Sequence, residues 1–146
     1  MGGAGDSARE AALRLLARRE HGHRELIDKL VRKGWNKADV LPAVEQLADR
    51  ELQSDSRYTE SFVRSRARKA YGPVRIRAEL AERGIDRALV EKTLAEAEVD
   101  WLASAADWYE RRYGTERPRD IKEKARRQQA LARRGFDHAI VRELVD

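Results

Sequence analysis

The apolar residues at the start of the chain recur at helical spacing. Ser7 and Glu10 stand three positions apart, which is the spacing of a capping box that opens a helix. The small and apolar residues that follow share one helical face: Ala8, Ala11, Ala12, Leu15 and Leu16. Alternation of apolar and polar residues, the mark of a half-buried strand, is not evident along the chain. The pattern predicts an all-α protein.

A six-residue motif of the form Leu-x-x-basic-Gly-apolar occurs three times, at spacings of 50 and 51 residues: 30–35, 80–85 and 131–136. Each copy is followed by a residue type that caps helices: Asn36, Asp86 and Asp137. Apolar residues then recur in register: Val40, Val90 and Val141, followed by Val44, Leu94 and Val145. We therefore predict three copies of one helical unit.

Each motif indicates the turn between the second and third helix of its unit. A Gly after a periodic segment can take the left-handed conformation that ends a helix, and basic residues suit the negative end of that helix. An earlier glycine in each unit, at Gly22, Gly72 and Gly114, is expected to mark the end of helix one. Capping residues for helix one of the later units are Ser54, Asp55 and Ser56 in the second and Asp100 in the third.

The expected architecture is about nine helices in three tandem three-helix repeats, at residues 1–53, 54–99 and 100–146, in an elongated array. Two irregularities stand out. Pro42 falls inside the third helix of repeat one, so we expect that helix to begin nearer Asp39, with the proline in its first turn. The third repeat has 20 residues between its two glycines instead of 11, which predicts a longer or differently docked second helix. The apolar residues after the three motif glycines, Trp35, Ile85 and Phe136, are predicted core residues.

Composition narrows the class of protein. The 146 residues are 39% charged and only 6% aromatic, which suits exposed helices. Without cysteine, neither a disulfide nor a thiolate metal site is possible, so we expect a reducing, cytoplasmic location. No N-terminal signal pattern and no run of about 18 apolar residues suggests a membrane protein.

Positive charge is concentrated in two segments. Residues 57–77 contain seven basic residues and one acid, and residues 111–134 contain ten basic residues and three acids, whereas residues 1–56 are balanced at ten of each. Arg14 with Arg18 and Arg64 with Arg68 place like charges four residues apart, which destabilises an isolated helix. A negatively charged partner would account for them. It could be a phosphate backbone or an acidic protein groove.

Several stretches carry a family resemblance in order and spacing: 12–19, Glu25-Leu26, Lys29-Leu30, 62–66, Tyr71-Gly72, Arg75-Ile76, Glu79-Leu80, 83–85, and in the third repeat Lys122, Ala125, Arg126, Leu131 and 133–136. Together they resemble the RecX family of regulators of the RecA recombination protein, from about Ala8 to the C-terminus. The resemblance implies a curved, right-handed array that lodges in the groove of a RecA filament on single-stranded DNA. It also implies lower RecA ATPase, strand-exchange and co-protease activities. We further expect a monomeric protein that can bind DNA directly, but weakly.

The predicted contact face is chosen by local charge and helical phase. Its members are Arg14, Arg18, Arg24, Arg64, Arg68, Lys69, Arg75, Arg77, Arg126, Arg127, Arg133 and Arg134. Tyr71 is expected to pack against the end of helix one, although stacking on a base or a partner side chain is the alternative.

Other functions find less support. His21 and His23 lack further close ligands, so solvated turn residues explain them better than a metal site, and we expect no metal or cofactor. Phosphate-binding loops and nucleophile elbows are missing, so we expect no catalysis. A general DNA-binding protein is the main alternative, but the third helices at 38–47 and 88–98 are neutral or acidic and poorly suited to reading bases. A structural adaptor has no positive support.

Overall fold

The protein was analysed as a computed structural model, which describes residues 7–146. This part of the chain contains nine α-helices and no strand. The helices are α1 (Ala8–Arg18), α2 (His23–Arg32), α3 (Lys37–Asp49), α4 (Asp55–Arg68), α5 (Pro73–Glu82), α6 (Arg87–Glu96), α7 (Trp101–Tyr113), α8 (Ile121–Arg134) and α9 (His138–Val145). The predicted all-α fold with three-helix repeats is confirmed. The start of the predicted first repeat, residues 1–6, lies outside the described residues.

The turns between the second and third helix of each repeat form as the motif predicts. Gly34, Gly84 and Gly135 have φ angles of 103°, 76° and 100°, in the left-handed region that glycine favours. The Asn36 side chain accepts a hydrogen bond from the Ala38 amide at 3.0 Å, which caps α3. In the same way Asp137 caps α9 through the Ile140 amide at 3.0 Å.

Each repeat has its own apolar core. The first is built around Leu26, Leu30 and Leu47, which are all fully buried. The second contains Ile76, Leu80 and Ile85, and the third contains Leu131, Phe136 and Val141. Trp101, at the start of α7, packs against both the second and the third core. Since the most extensive helix packing lies within repeats, the units are joined by narrow junctions.

The exposed area agrees with an extended arrangement of these units. The protein exposes 9349 Å², whereas a compact protein of this mass exposes about 7,700 Å².

In the third repeat α8 has 14 residues, against ten in each of α2 and α5. The prediction of a longer second helix there is therefore confirmed.

The predicted position of the end of helix one was wrong in two of the three repeats. Gly22 and Gly72 do not end helix one but precede the first residues of α2 and α5, because α1 and α4 already end at Arg18 and Arg68. Only Gly114 follows a first helix directly.

The third helix of repeat one, α3, begins at Lys37, not near Asp39, and Pro42 lies inside it. Pro42 cannot donate to the Ala38 carbonyl oxygen. Both residues are exposed, so water can hydrate that oxygen. Ile85 and Phe136 are buried as predicted, but Trp35 is only partly buried against the first core.

The junction between the first and second repeats is made largely by side chains. Asp55 accepts a hydrogen bond from the His23 amide at 2.8 Å. Gln53, the last residue of repeat one, donates to the His21 carbonyl at 3.2 Å and to the Asp55 carboxylate at 3.0 Å. The side chain of Arg57 pairs with Glu20 at 3.2 Å.

The junction between the second and third repeats joins backbone to backbone. The amide of Gly72 donates to the Arg134 carbonyl at 2.7 Å, and the amide of Val74 donates to the Gly135 carbonyl at 2.9 Å. A Cβ on Gly72 would lie 2.4 Å from the Gly135 oxygen, so only glycine fits there.

Candidate functional site

Most of the predicted contact face lies on the surface. Ten of its twelve residues are exposed: Arg14, Arg18, Arg24, Arg64, Arg68, Lys69, Arg75, Arg77, Arg126 and Arg133. They come from the first and second helices of the repeats and the turns that follow those helices. The third helices, which a helix-turn-helix protein would use to read DNA, contribute none of them.

Several of these exposed cations are not neutralised by the protein itself. Within residues 7–146, six of them make no ion pair and no side-chain hydrogen bond: Arg18, Arg64, Arg68, Lys69, Arg126 and Arg133. Arg64 and Arg68 lie in α4 and Lys69 follows as its C-cap, whereas Arg126 and Arg133 lie in α8. Charge that the fold leaves uncompensated is available to an anionic partner.

Three other members of the face are partly engaged by carboxylates. Arg77 pairs with Glu91 at 2.7 Å, and this hydrogen bond lowers the pKa of the Glu91 carboxyl. Arg24 and Arg75 make longer pairs with acids one helical turn away, Asp28 at 3.8 Å and Glu79 at 3.7 Å. The Arg24 and Arg77 pairs are solvent-exposed, so a stronger partner can replace them at small expense. Arg75 is held more firmly, because it also donates to the Arg133 carbonyl at 3.3 Å and lies 4.4 Å from the centre of the Tyr71 ring.

Arg127 does not belong to the contact face. Its side chain is buried inside the third repeat, where it donates to the Tyr109 hydroxyl at 3.0 Å and to the Glu116 carbonyl at 2.9 Å. It also pairs with Glu123 at 2.9 Å. The inclusion of Arg127 was therefore wrong, because helical phase alone did not show that the 115–120 loop covers this position.

Glu123 is the acid at the centre of that buried arrangement. Its pKa falls to about 2, first because the Arg119 amide donates to it, and then because the Arg127 and Arg119 side chains do. The carboxylate oxygen accepts from the Arg119 amide at 2.7 Å. Arg127 and Glu123 therefore hold the long loop of repeat three against α8.

Arg134 also differs from the prediction, because it is half-buried and binds within the protein. Its guanidinium lies over the ring of Tyr71, 4.0 Å from the ring centre. It donates to the carbonyl of Ala70 at 3.2 Å and to that of Lys69. Arg134 therefore joins the third repeat to the second. Tyr71, which was expected to pack against the end of helix one, takes part in this junction.

Sequence reasoning missed the repeat junctions themselves. Gly22 and Gly72 are 50 residues apart, and each contacts the turn that follows the second helix of the next repeat. The Gly22 Cα lies beside Tyr58 and Ile85, and Gly72 lies against Gly135 and Phe136. The 50-residue spacing of these two glycines was the available signal in the sequence. It does not indicate that each glycine contacts the next repeat.

The two histidines near Gly22 have separate environments. His21 is buried, with Nδ1 3.0 Å from the Arg19 carbonyl and Nε2 3.4 Å from the Lys29 ammonium. Burial is the main cause of its lowered pKa. His23 instead lies 3.5 Å from the Glu45 carboxylate. The reading of His21 as a solvated turn residue was therefore wrong.

The described part of the chain offers neither a metal-binding cluster nor a membrane-spanning helix. Among residues 7–146, no three or more histidine and acidic side chains are grouped as a metal ion would require. Over the same residues, every helix is too short or too polar to cross a membrane.

Comparison with known proteins agrees with the repeat structure. Three family models match the chain: the first three-helix domain of RecX at residues 8–47, the second at 54–94 and the third at 98–145. Among curated proteins, the chain is 49% identical to the regulatory protein RecX of Halorhodospira halophila over 92% of this chain and 84% of that protein. It is 42% identical to the regulatory protein RecX of Pseudomonas entomophila over 95% of this chain and 90% of that protein.

Solved structures show the same fold. The crystal structure of RecX from Lactobacillus salivarius superposes with a TM-score of 0.73 at 25% identity, covering 94% of this chain and 91% of that one. A second crystal structure, of a regulatory protein RecX, gives a TM-score of 0.75 at 23% identity over 94% of this chain and 70% of that one. The matched domains span all three repeats in order, so the chain belongs to the RecX family of regulatory proteins.

Proposed function

We propose that this protein regulates RecA by binding along the groove of the filament that RecA forms on single-stranded DNA. In that position it lowers the ATPase, strand-exchange and co-protease activities of RecA. It acts in the cytoplasm, as a monomer, through binding and without catalysis of its own. Family membership over all three repeats supports a regulatory role.

The observation that carries this proposal is the uncompensated positive charge on two separate repeats. Arg64 and Arg68 on the second repeat and Arg126 and Arg133 on the third are exposed, and their side chains make no ion pair or hydrogen bond within residues 7–146. These two repeats follow one another in the array and are joined by a narrow junction. An extended protein with cations at intervals can contact several subunits of a polymer at once, whereas a single pocket cannot.

The distribution of charge also favours a filament over DNA alone as the main partner. The third helices carry exposed acids, among them Glu45, Glu91 and Glu96. Such helices would be repelled in a DNA groove, where a helix-turn-helix protein inserts its recognition helix. Direct DNA binding is therefore confined to the faces of the first and second helices.

The test is RecA-catalysed ATP hydrolysis on single-stranded DNA with a charge-reversal variant of repeat two. Arg64→Glu, Arg68→Glu and Lys69→Glu together reverse three exposed cations whose side chains pair with no other residue of the described chain. Because complementary charge is lost and like charge is introduced, we expect the concentration for half-inhibition to rise by about tenfold or more. The control variant reverses Lys37, Arg50 and Arg87, three exposed cations outside the proposed face.

The control variant should inhibit RecA nearly as well as the unmodified protein. Circular dichroism checks that both variants keep their helical content. Equal inhibition by all three proteins would remove this face from the RecA contact. Inhibition that follows DNA occupancy, and disappears when excess single-stranded DNA is added, would instead indicate simple competition for DNA.

A further inference from the structure

The first repeat contains a basic cleft with a tryptophan in its lining. It has a volume of about 330 Å³ and lies between α1, the end of α2 and the following turn. Arg14, Arg18 and Lys33 stand at its edge with Trp35, over a floor that includes Leu15 and Leu30. This volume is at the lower end of the range of small-molecule sites, about 300–1,000 Å³, and is suited to a ligand of nucleotide size.

The basic residue before the motif glycine has a different role in each repeat. In repeat two it is Arg83, which lies 4.8 Å from the ring centre of Phe62 and donates to the Glu79 carbonyl at 3.1 Å. In repeat three it is Arg134, which is held by Tyr71 and by backbone carbonyls. In repeat one it is Lys33, which is exposed and makes no ion pair or side-chain hydrogen bond within residues 7–146.

The apolar residue after the glycine shows the same contrast. Ile85 lies against Gly22 of the preceding repeat, and the amide of Phe136 lies against Gly72. Both residues are buried. At the equivalent position Trp35 is only partly buried and lines the open cleft. A repeat position that elsewhere holds an aliphatic or phenyl core residue here presents an indole ring to solvent.

The cations around the cleft raise the local electrostatic potential. Three cationic side chains line the cleft, those of Arg14, Arg18 and Lys33. No carboxylate lines the cleft among the described residues.

We propose that this cleft binds one nucleotide of single-stranded DNA, with the base against the ring of Trp35 and the flanking phosphates on Arg18 and Lys33. An aromatic ring next to a basic groove is how proteins hold single strands without reading their sequence. The role of the cleft in the cell rests on the proposed function, since that filament contains single-stranded DNA. Binding of the strand itself needs no RecA.

The experiment measures binding of a fluorescently labelled oligothymidylate to the full chain by anisotropy, at several salt concentrations and without RecA. Arg18→Gln with Lys33→Gln should weaken binding about tenfold at low salt. It should also lower the slope of log affinity against log salt by about 1.4, because each lost phosphate contact contributes about 0.7 for single strands. Trp35→Leu should weaken binding by roughly tenfold and leave that slope unchanged.

The matched control is Arg32→Gln with Lys37→Gln, which removes two charges from a different cleft of the same repeat. This control should change the affinity by less than about threefold, since only long-range screened charge is lost. Oligothymidylate should also quench tryptophan fluorescence in the unmodified protein and not in Trp35→Leu, which retains the other two tryptophans. The charge variant supplies the test if Trp35→Leu does not fold.

Three results would overturn the assignment: equal weakening by the control pair, quenching that persists in Trp35→Leu, or displacement of the oligonucleotide by poly-glutamate at matched charge concentration. The last would mean that the cleft takes acidic protein chains. None of these results would affect RecA inhibition through the face on repeats two and three. The two proposals therefore fail separately.

Discussion

The two junctions between repeats use equivalent positions and different chemistry. At each, a glycine before the second helix of one repeat contacts the glycine-containing turn of the next repeat. The residue before that glycine is His21 in the first junction and Tyr71 in the second. In the first junction the residue after the glycine is His23, whose amide donates to Asp55. In the second it is Pro73, which has no amide hydrogen to donate.

These differences make one junction depend on side chains and the other on the backbone. Between repeats one and two, exposed ion pairs such as Arg57 with Glu20 and hydrogen bonds to carboxylates hold the contact. Between repeats two and three, two amide-to-carbonyl bonds and the Arg134 guanidinium hold it. Surface ion pairs are screened by salt, whereas backbone hydrogen bonds depend little on it. We therefore expect repeats two and three to behave as a stiffer unit than repeats one and two.

The largest expected effect comes from adding a methyl group at Gly72, and the equivalent glycine of the first junction, Gly22, supplies the comparison. Gly72 has a φ of −95° and Gly22 of −69°, so neither needs glycine for its own backbone angle. In Gly72→Ala the new Cβ meets backbone at 2.4 Å, whereas in Gly22→Ala it meets the Tyr58 ring at 3.3 Å. We expect Gly72→Ala to reduce the free energy of unfolding by about 1–3 kcal/mol.

Gly22→Ala is the matched control, because the side chain of Tyr58 can move by a few tenths of an ångström. Its free energy of unfolding should change by less than about 1 kcal/mol. Alanine lowers the conformational entropy of the unfolded chain, and this gain offsets the cost of the tight contact. Urea denaturation followed by circular dichroism measures both. Equal destabilisation by the two substitutions would contradict the distinction between the junctions.

A smaller effect is expected from Arg134→Lys, which keeps the charge and removes the planar fork. The lysine cannot both stack on Tyr71 and donate to two carbonyls, so we expect a loss of about 1–2 kcal/mol. The amides of Gly72 and Val74 should also exchange hydrogen faster. The control is Arg133→Lys, at an exposed arginine whose side chain has no ion pair or hydrogen bond within residues 7–146. Unchanged exchange in Arg134→Lys would show that the backbone bonds alone hold this junction.

The smallest expected effect is a pH dependence confined to the first junction. The pKa of His21 lies below its ordinary value of 6.5 in the folded protein. As pH falls below about 6.5, the unfolded chain binds a proton that the folded chain does not, so stability present above that pH is lost. Protonation would also set His21 against the Lys29 ammonium, 3.4 Å away.

Hydrogen exchange between pH 7 and pH 5, corrected for intrinsic rates, tests this dependence. The His23 amide should lose protection on acidification, whereas the Gly72 and Val74 amides should keep theirs. His21→Gln should remove the difference, and His138→Gln, at an exposed histidine of repeat three, should not. Loss of protection in both junctions alike would assign the effect to another group.

The repeat fold could be predicted from sequence because its signals are local. Gly34, Gly84 and Gly135 set the turns, and Asn36 and Asp137 cap the helices that follow, each through contacts within a few residues. The position of Pro42 was misjudged because an internal proline is tolerated where water can reach the carbonyl it leaves unbonded. Whether that face of the helix is exposed depends on how the helices pack. Local sequence patterns do not contain that information.

The candidate site could be predicted only in part for a related reason. Charge and helical phase placed Arg64, Arg68 and Arg126 on the surface, where they are found. The same criteria placed Arg127 and Arg134 beside them, although the 115–120 loop buries one and the second repeat binds the other. Contacts between residues 11 to 64 positions apart decide which arginines are available.

The most direct test of the regulatory role is a titration of the unmodified protein into RecA assembled on single-stranded DNA, with ATP hydrolysis and filament length followed together. An extended three-repeat protein that lies along the groove should reach full inhibition well below one molecule per RecA subunit. Filaments should shorten over the same range of concentration. Inhibition that appears only once the protein has saturated the DNA would contradict the account.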